Sequence, residues 1–294
     1  MLSEPQKIRI DSDGAQLAGT CYAPLGRADR VLVMHGATGV PQSYYRHFAS
    51  WCAGQGLAVL TYDYRDFGQS LQGPMAASRA TFADWAVRDQ AAAEEAAAGL
   101  FPDLPVSILG HSLGGLGVPF HRHGARVDRI VTIGSGITHH SDHPWSYRPK
   151  ALAFWYVIGP PATALAGYLP GRRLRFGSDL PAGVFWQWRR WCTQREFFLP
   201  DIGTSLPDPA YDLGRIALTM LAVEDDQVVP PVAVDRFAGA FGASRPVVRR
   251  LRPGDYGLKA IGHIEALSPS RQAIWSDLLG LLQPSAARVA AQAG

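Results

Sequence analysis

The sequence predicts an α/β fold: a mostly parallel, doubly wound sheet with helices on both faces and one inserted segment. Three observations carry this expectation. Short apolar runs end in glycine-rich or polar loops, as strands buried on both faces do. Stretches of helical spacing lie between them, so strand and helix alternate. One interval, from Gly136 to Leu206, breaks the rhythm, with no strand-like run but five of the eight tryptophans.

The elements follow in order. Lys7 to Tyr22 alternates around Gly14 and reads as a β-hairpin. Val31–Met34 is a buried strand running into His35-Gly36-Ala37-Thr38-Gly39, and Pro41–Gly54 carries Tyr45, Phe48, Ala49 and Cys52 at helical spacing. Leu57–Tyr62 is the next strand, with Asp63–Ser70 as its loop. Thr81 followed by Asp84 resembles a capping box and opens an alanine-rich helix that stops at Gly99. Val106–Leu109 is a strand followed at once by Gly110-His111-Ser112-Leu113-Gly114-Gly115 and a helix. Arg129–Ile133, Ile216–Val223 and Val247–Leu251 complete the strands, and Ser268-Pro269 opens a last helix running to about Gln283. A structureless loop of the inserted length is implausible, so the interval reads as a helical insertion over the carboxyl ends of the strands. The expected organisation is a core of residues 1–136 and 207–283, an aromatic helical cap of residues 137–206, and a frayed tail of residues 284–294.

Composition sets the bounds. At 294 residues, 47% hydrophobic and 18% charged, the chain is long enough for one large domain with its own core. A net charge of +3 without a basic run leaves no electrostatic footprint for nucleic acid. Cys21, Cys52 and Cys192 are odd in number and widely spaced, giving neither a disulfide framework nor a zinc spacing. No signal-like apolar run opens the sequence, and the apolar stretch Ala151–Ala166 is interrupted by Gly159, Pro160 and Pro161. A cytoplasmic protein with no transmembrane segment is expected, needing no cofactor or metal.

The chemistry concentrates in Gly110-His111-Ser112-Leu113-Gly114. A G-x-S-x-G motif alone says little, but this one follows a buried strand and opens a helix, the setting a nucleophile elbow requires. Its turn crowds the residues two before and two after the serine, so both must be glycine. The hydroxyl is left at a helix N-terminus, where backbone N–H groups favour a developing anion. A serine nucleophile needs a base. Of nine histidines, His263 lies in a loop between the last strand and the last helix, a position that reaches the end of the sheet where Ser112 sits. An imidazole in that role needs a carboxylate to fix its tautomer. Glu224-Asp225-Asp226 at the end of the penultimate strand supplies candidates, Asp226 first and Asp225 as the alternative. Two preorganised N–H donors complete the set: Leu113 after the serine, and Ala37 in the small-residue loop after the first buried strand.

With these residues in hand, the sequence resembles the α/β-hydrolase superfamily, and within it the uncharacterised bacterial predicted α/β-hydrolases with a helical cap. The chain order Ser112, Asp226, His263 is the order of that superfamily. Besides the elbow, the likeness rests on His35–Val40, Tyr62-Asp63-Tyr64-Arg65 with Gly68 and Ser70, Glu224–Asp226 with Pro230, and Gly262-His263. Pro170–Arg173, Asp179–Gly183 and Arg190-Trp191-Cys192 point to the capped subgroup. The resemblance spans about residues 7–283 and implies a serine-nucleophile hydrolase, though the subgroup supplies no substrate. Two residues depart from it. Asp66 replaces the first glycine of an Arg-Gly-x-Gly loop, and Glu265 is acidic where relatives tend to be apolar; either places a carboxylate near the imidazole.

The expected reaction is cleavage of a small ester-type substrate through an acyl-Ser112 intermediate. Transfer of the acyl group to another acceptor and a low-turnover binding module are the alternatives. Trp155, Phe185, Trp186 and Trp188, with Phe197 and Phe198, are candidates to wall an apolar substrate cleft, although packing of the cap accounts for most such aromatics. Arg172, Arg173, Arg175, Arg189 and Arg190 read either as an attraction for anions or as solvated faces. His140-x-Asp142-His143 resembles half of a zinc signature, but Thr138 stands where its first ligand belongs. A polar turn leading into the cap is the plainer reading.

Overall fold

A computed structural model describes residues 3–283; the expected tail, 284–294, lies outside the described residues. The hairpin pairs β1 (Gln6–Ser12) with β2 (Ala15–Tyr22), its turn made by Asp13 and Gly14, both at positive φ. The other strands of the sheet are β3 (Arg30–His35), β4 (Leu57–Tyr62), β5 (Val106–His111), β6 (Val127–Ile133), β9 (Ala217–Val223) and β10 (Val247–Leu251), where β7 and β8 denote a separate pair, Tyr168–Leu169 and Leu180–Pro181. The eight strands lie in the order β1-β2-β4-β3-β5-β6-β9-β10, antiparallel across β1-β2-β4 and parallel from β4 onward. β3, β4 and β5 are buried at every position, which is why their sequences are continuous apolar runs rather than alternations. Helices cover both faces. One layer, with Trp85, Ala93 and Ala97, joins the insertion in one core; the other sets Phe48, Trp275 and Leu278 against the opposite face.

Several element boundaries differ from expectation for reasons visible in the packing. The Thr81–Asp84 capping box forms, but the helix it opens widens to a π-turn over Trp85–Asp89 before resuming at Gln90–Leu100. That widening coincides with long-range ties: Trp85 Nε1 donates to the Arg65 carbonyl (3.0 Å), and Asp89 forms a buried ion pair with Arg65 (2.8 Å). The final segment is not one α-helix. It is 3₁₀ over Pro269–Ile274 and α-helical only over Trp275–Leu282, and Ser268 makes no side-chain cap bond.

Residues 137–206 contribute no strand to the eight-stranded sheet. They form helical runs at Arg148–Ala166 and Ala182–Thr193 and the antiparallel β7-β8 pair, a short ladder that corrects the expectation of no strand in this interval. Pro160 and Pro161 lack the N–H groups a helix requires, and the run accommodates them by a π segment over Ala153–Ile158 immediately before. No described helix is long and apolar enough to cross a membrane.

Candidate active site

Ser112 sits at φ 54° and ψ −113°, a strained conformation forced by the turn from β5 into the helix Leu113–Leu116. The two glycines around it are sterically required. A Cβ on Gly110 would lie 2.6 Å from the Gly114 carbonyl oxygen, and one on Gly114 would overlap the carbonyl oxygen of His35. The helix after the serine is only four residues long, shorter than the sequence suggests. Stabilisation of an anion here therefore rests on individual N–H groups rather than on a long helix dipole.

The structure brings Ser112, His263 and Asp226 into one hydrogen-bonded row. His263 Nε2 is 3.1 Å from Ser112 Oγ, and Nδ1 is 2.6 Å from Asp226 Oδ2. A carboxylate only accepts, so Nδ1 carries the proton and Nε2 is left to accept from the serine hydroxyl. Asp226 is held in turn by the N–H groups of Val228 and Val229, both 2.8 Å from Oδ1. Asp225 faces another way: its carboxylate accepts from the N–H groups of Ile261 (3.0 Å) and Gly262 (3.3 Å), shaping the histidine loop. Gly134, which sequence reasoning passed over, makes room for the pair, since a Cβ there would meet His263 Nδ1 at 3.0 Å and Asp226 Oδ2 at 3.2 Å. Neither departing acid is bonded to the imidazole. Asp66 accepts from Ser78 Oγ (2.6 Å), and Glu265 lies against Gly262. Asp66 stands at φ 55°, the left-handed region that explains a glycine in relatives and that aspartate tolerates better than most residues.

Ala37 is placed differently from expectation. Its N–H donates to Tyr45 Oη at 2.8 Å, so that donor is already engaged. The Tyr45 hydroxyl continues to His111 Nδ1 (2.9 Å), and His111 Nε2–H donates to the His263 carbonyl (3.0 Å). A buried relay thus joins the loop after β3 to the histidine loop. His111 is held neutral in it: burial, then the proximity of His263, push its pKa down to about 3 against the raising effect of the carbonyl bond. The N–H of Thr38, the next residue on the same wall, takes no hydrogen bond among the described residues. The loop itself is propped from behind, because Tyr64 Oη donates to the Gly36 carbonyl (2.9 Å) and Asp63 accepts from the Gln42 N–H (2.7 Å).

Above the row lies a cavity of about 440 Å³, with Ser112, Leu113, Thr38 and His263 at its floor. Its walls are mostly apolar: Leu116, Phe82, Phe154, Trp155, Phe176, Trp188, Phe197 and Val229 contribute, with His143, Tyr147 and Lys150 among them. Trp155 and Trp188 meet edge to face at 4.9 Å. Phe185, Trp186 and Phe198, the other three of the six expected wall residues, do not line it. Phe185 is fully buried in the core with Phe198, and Trp186 points outward, 38% exposed. On one helix, consecutive positions face different ways, and of Phe185, Trp186 and Trp188 only the last faces the chamber. Among the described residues, no acidic side chain lines the cavity. The insertion is fastened by polar bonds as well: Gln187 accepts from the Ala83 N–H (2.9 Å), and Ser178 N–H donates to the Gly39 carbonyl (3.1 Å).

The His139–His143 turn takes the plainer role. His139 caps a 3₁₀ turn, Asp142 pairs with Arg236 (2.7 Å), and His143 Nδ1 bonds the Gln227 carbonyl (3.0 Å). Among the described residues, the side chains close enough to share a metal ion are instead His35, Glu94 and His121.

The strand order and the tight strand–turn–helix after β5 are those of the α/β-hydrolase fold. Within that class, residues 27–160 match the model of the serine aminopeptidase family S33. Solved structures similar over nearly the whole chain include an esterase from Exiguobacterium antarcticum (14% identity, 94% of this chain and 99% of that chain, TM-score 0.57). A thermostable carboxyl esterase from Bacillus coagulans is similar at 14% identity, covering 96% and 100% with TM-score 0.58. An α/β serine hydrolase without a lid from Xanthomonas campestris shares 13%, covering 98% and 95% with TM-score 0.53. No curated protein matches the sequence.

Proposed function

We propose that this protein is a serine hydrolase that cleaves carboxylic esters of apolar acyl groups through an acyl-Ser112 intermediate. The hydrogen-bonded row Ser112–His263–Asp226 at the floor of an apolar cavity carries the reading. The match of residues 27–160 to a hydrolase family supports the class. Aminopeptidase activity fits the cavity less well, because a substrate's ammonium group needs a carboxylate partner when buried and none of the described residues that line it is acidic.

In this mechanism His263 Nε2 takes the Ser112 proton as Oγ attacks the ester carbonyl, and Asp226 steadies the imidazolium. The tetrahedral oxyanion is met by the Leu113 N–H and, since the Ala37 N–H is held by Tyr45, by the Thr38 N–H. His263 protonates the departing alkoxide. Water, deprotonated by the same imidazole, then releases the acid and restores Ser112. Residues 137–206 act as a cap that sets the acyl group accepted.

A fluorophosphonate probe is expected to label the intact protein and to miss the Ser112→Ala variant. Ser112→Ala and His263→Ala should each lower p-nitrophenyl ester turnover on the order of 10⁴-fold or more. A Ser112→Ala protein that keeps most of its turnover refutes the assignment. Labelling without ester turnover redirects the reading to acyl transfer, and absence of labelling to a binding module.

A further inference from the structure

Outside the cavity, Glu94 collects three imidazoles. Its Oε1 lies 3.2 Å from His35 Nε2, 2.9 Å from His121 Nε2 and 3.1 Å from His123 Nδ1, and Oε2 is 3.0 Å from the same His123 atom. All four side chains are nearly inaccessible, between 1% and 4% exposed. They come from three separate places: the end of β3, the helix Gln90–Leu100, and the turn that follows the nucleophile helix.

We propose that His35, Glu94, His121 and His123 form a structural site for a zinc-type divalent transition-metal ion. Three imidazoles and one carboxylate are a donor set suited to such an ion, and four protein ligands make a closed site with no place for substrate. The spacing fits. Metal–ligand bonds of about 2.0–2.1 Å in a tetrahedron put neighbouring ligand atoms about 3.3 Å apart. The ligand atoms of His35, Glu94 and His121 all lie within 4.8 Å of one another, and their separations from Glu94 are already 2.9–3.2 Å; His123 Nδ1, 3.0 Å from Glu94 Oε2, stands outside that group and must move closer to become the fourth ligand. Outer partners aim two of the three rings, as second-shell bonds to ligand histidines do, while His121 Nδ1 is buried with no partner among the described residues. His35 Nδ1 is 2.7 Å from Tyr62 Oη, and His123 Nε2–H donates to the Val118 carbonyl at 3.0 Å. The exposed residues Arg122 and Gly124 put the cluster just beneath the surface, where opening of one turn admits an ion. Bound there, the ion ties β3 to the 118–124 turn one residue before the Gly36-Ala37-Thr38 loop begins. The proposal is independent of the hydrolase reading.

The test uses the full-length protein, stripped by a chelator and titrated with Zn²⁺ and with Co²⁺. One equivalent is expected to bind, with the visible spectrum of tetrahedral cobalt and a melting temperature that rises with added zinc. The double variant His121→Ala/His123→Ala should lose the bound equivalent. Glu94→Gln, which keeps the side chain's shape, should weaken affinity more than the about 10–100-fold typical of losing an outer partner. Circular dichroism checks that each variant is folded. Stripped protein that binds neither ion overturns the proposal in favour of a cluster held by protons alone. Binding that survives these variants but is lost in His140→Ala overturns it in favour of an adventitious ion on the His139–His143 turn.

Discussion

At the scale of single residues, two adjacent acids take different partners. Asp226 and Asp225 are equivalent in sequence terms, and the sequence alone ranks them only weakly. What separates them is the direction of each side chain off the end of β9: Asp226 toward the imidazole, Asp225 toward the N–H groups of Ile261 and Gly262. Asp226→Asn is expected to lower kcat about 10⁴-fold, since an amide donates where the imidazole must donate and favours the wrong tautomer. Asp225→Asn should leave kcat within about tenfold and lower thermal stability instead, by about 1–3 kcal/mol for the unsatisfied backbone groups. Steady-state kinetics and thermal melts of both variants decide this; equal loss of kcat would leave the assignment without support. His111 gives a pH prediction. Its folded pKa lies at about 3, far below the 6.5 of an exposed imidazole, because burial and His263 disfavour the charged form. Between those values the unfolded chain binds the proton and the folded protein does not. Stability therefore falls as pH drops from 6.5 toward 3, on the order of 1 kcal/mol per pH unit from this residue. Denaturant titrations at several pH values should show a shallower slope in His111→Gln than in the parent protein. Ala37 shows the limit of motif reading at this scale: its position in the loop was legible, but the hydroxyl that claims its N–H belongs to Tyr45 on another element.

Secondary-structure elements were legible where their cause is local. The buried strands, the capping box at Thr81 and the strand–turn–helix around Ser112 follow from nearby residues, and the sequence shows them. The π-turn at Trp85–Asp89 does not, because it coincides with bonds to Arg65 that join positions 20 or more residues apart. The β7-β8 pair escaped for a different reason: two residues per strand give no alternation to detect. The helix Ala182–Thr193 also depends on an acid beyond its own end for its seat. Asp201 accepts from Arg190 (2.6 Å), Trp191 Nε1 (2.8 Å) and Gln187 Nε2 (2.7 Å), three successive contacts along that helix. Gln187 in turn reaches across to the Ala83 N–H, so one carboxylate organises the fastening of the insertion. Asp201→Ala leaves the buried Trp191 Nε1 without an acceptor and Gln187 Nε2 with Ser205 Oγ alone (3.0 Å), and should cost on the order of 1–3 kcal/mol. Limited proteolysis is expected to cut that variant first within residues 170–205 while the rest of the chain resists. A variant that melts like the parent protein would place the fastening elsewhere.

At the scale of the molecule, parallel strands deliver residues from distant parts of the chain to one edge, and the insertion closes over them. Ser112 and His263 are 151 positions apart and meet only because β5 and the chain beyond β10 finish at the same end of the sheet. That convergence was legible from strand order and loop position. The chamber was legible only as a composition, an excess of aromatics, because facing depends on helix phase and on what each helix packs against. The chamber's shape now makes a prediction that composition alone does not. Trp188 lines the cavity and stacks on Phe82 with rings 6.2 Å apart, whereas Trp186, two positions earlier, faces out. Trp188→Ala removes a wall and enlarges the space above Ser112, so preference should shift toward longer acyl chains, read as a rise in the ratio of kcat/KM for the p-nitrophenyl dodecanoate over the hexanoate. Stability should fall as well, by less than the about 3–5 kcal/mol of a fully buried indole because Trp188 is only half-buried, so the comparison belongs at a temperature where both proteins are folded. Trp186→Ala should move neither the ratio nor the melting temperature by much. If the exposed tryptophan changes chain-length preference and the inner one does not, the acyl group binds on the outside of the insertion, and the cavity above the serine is not the substrate's.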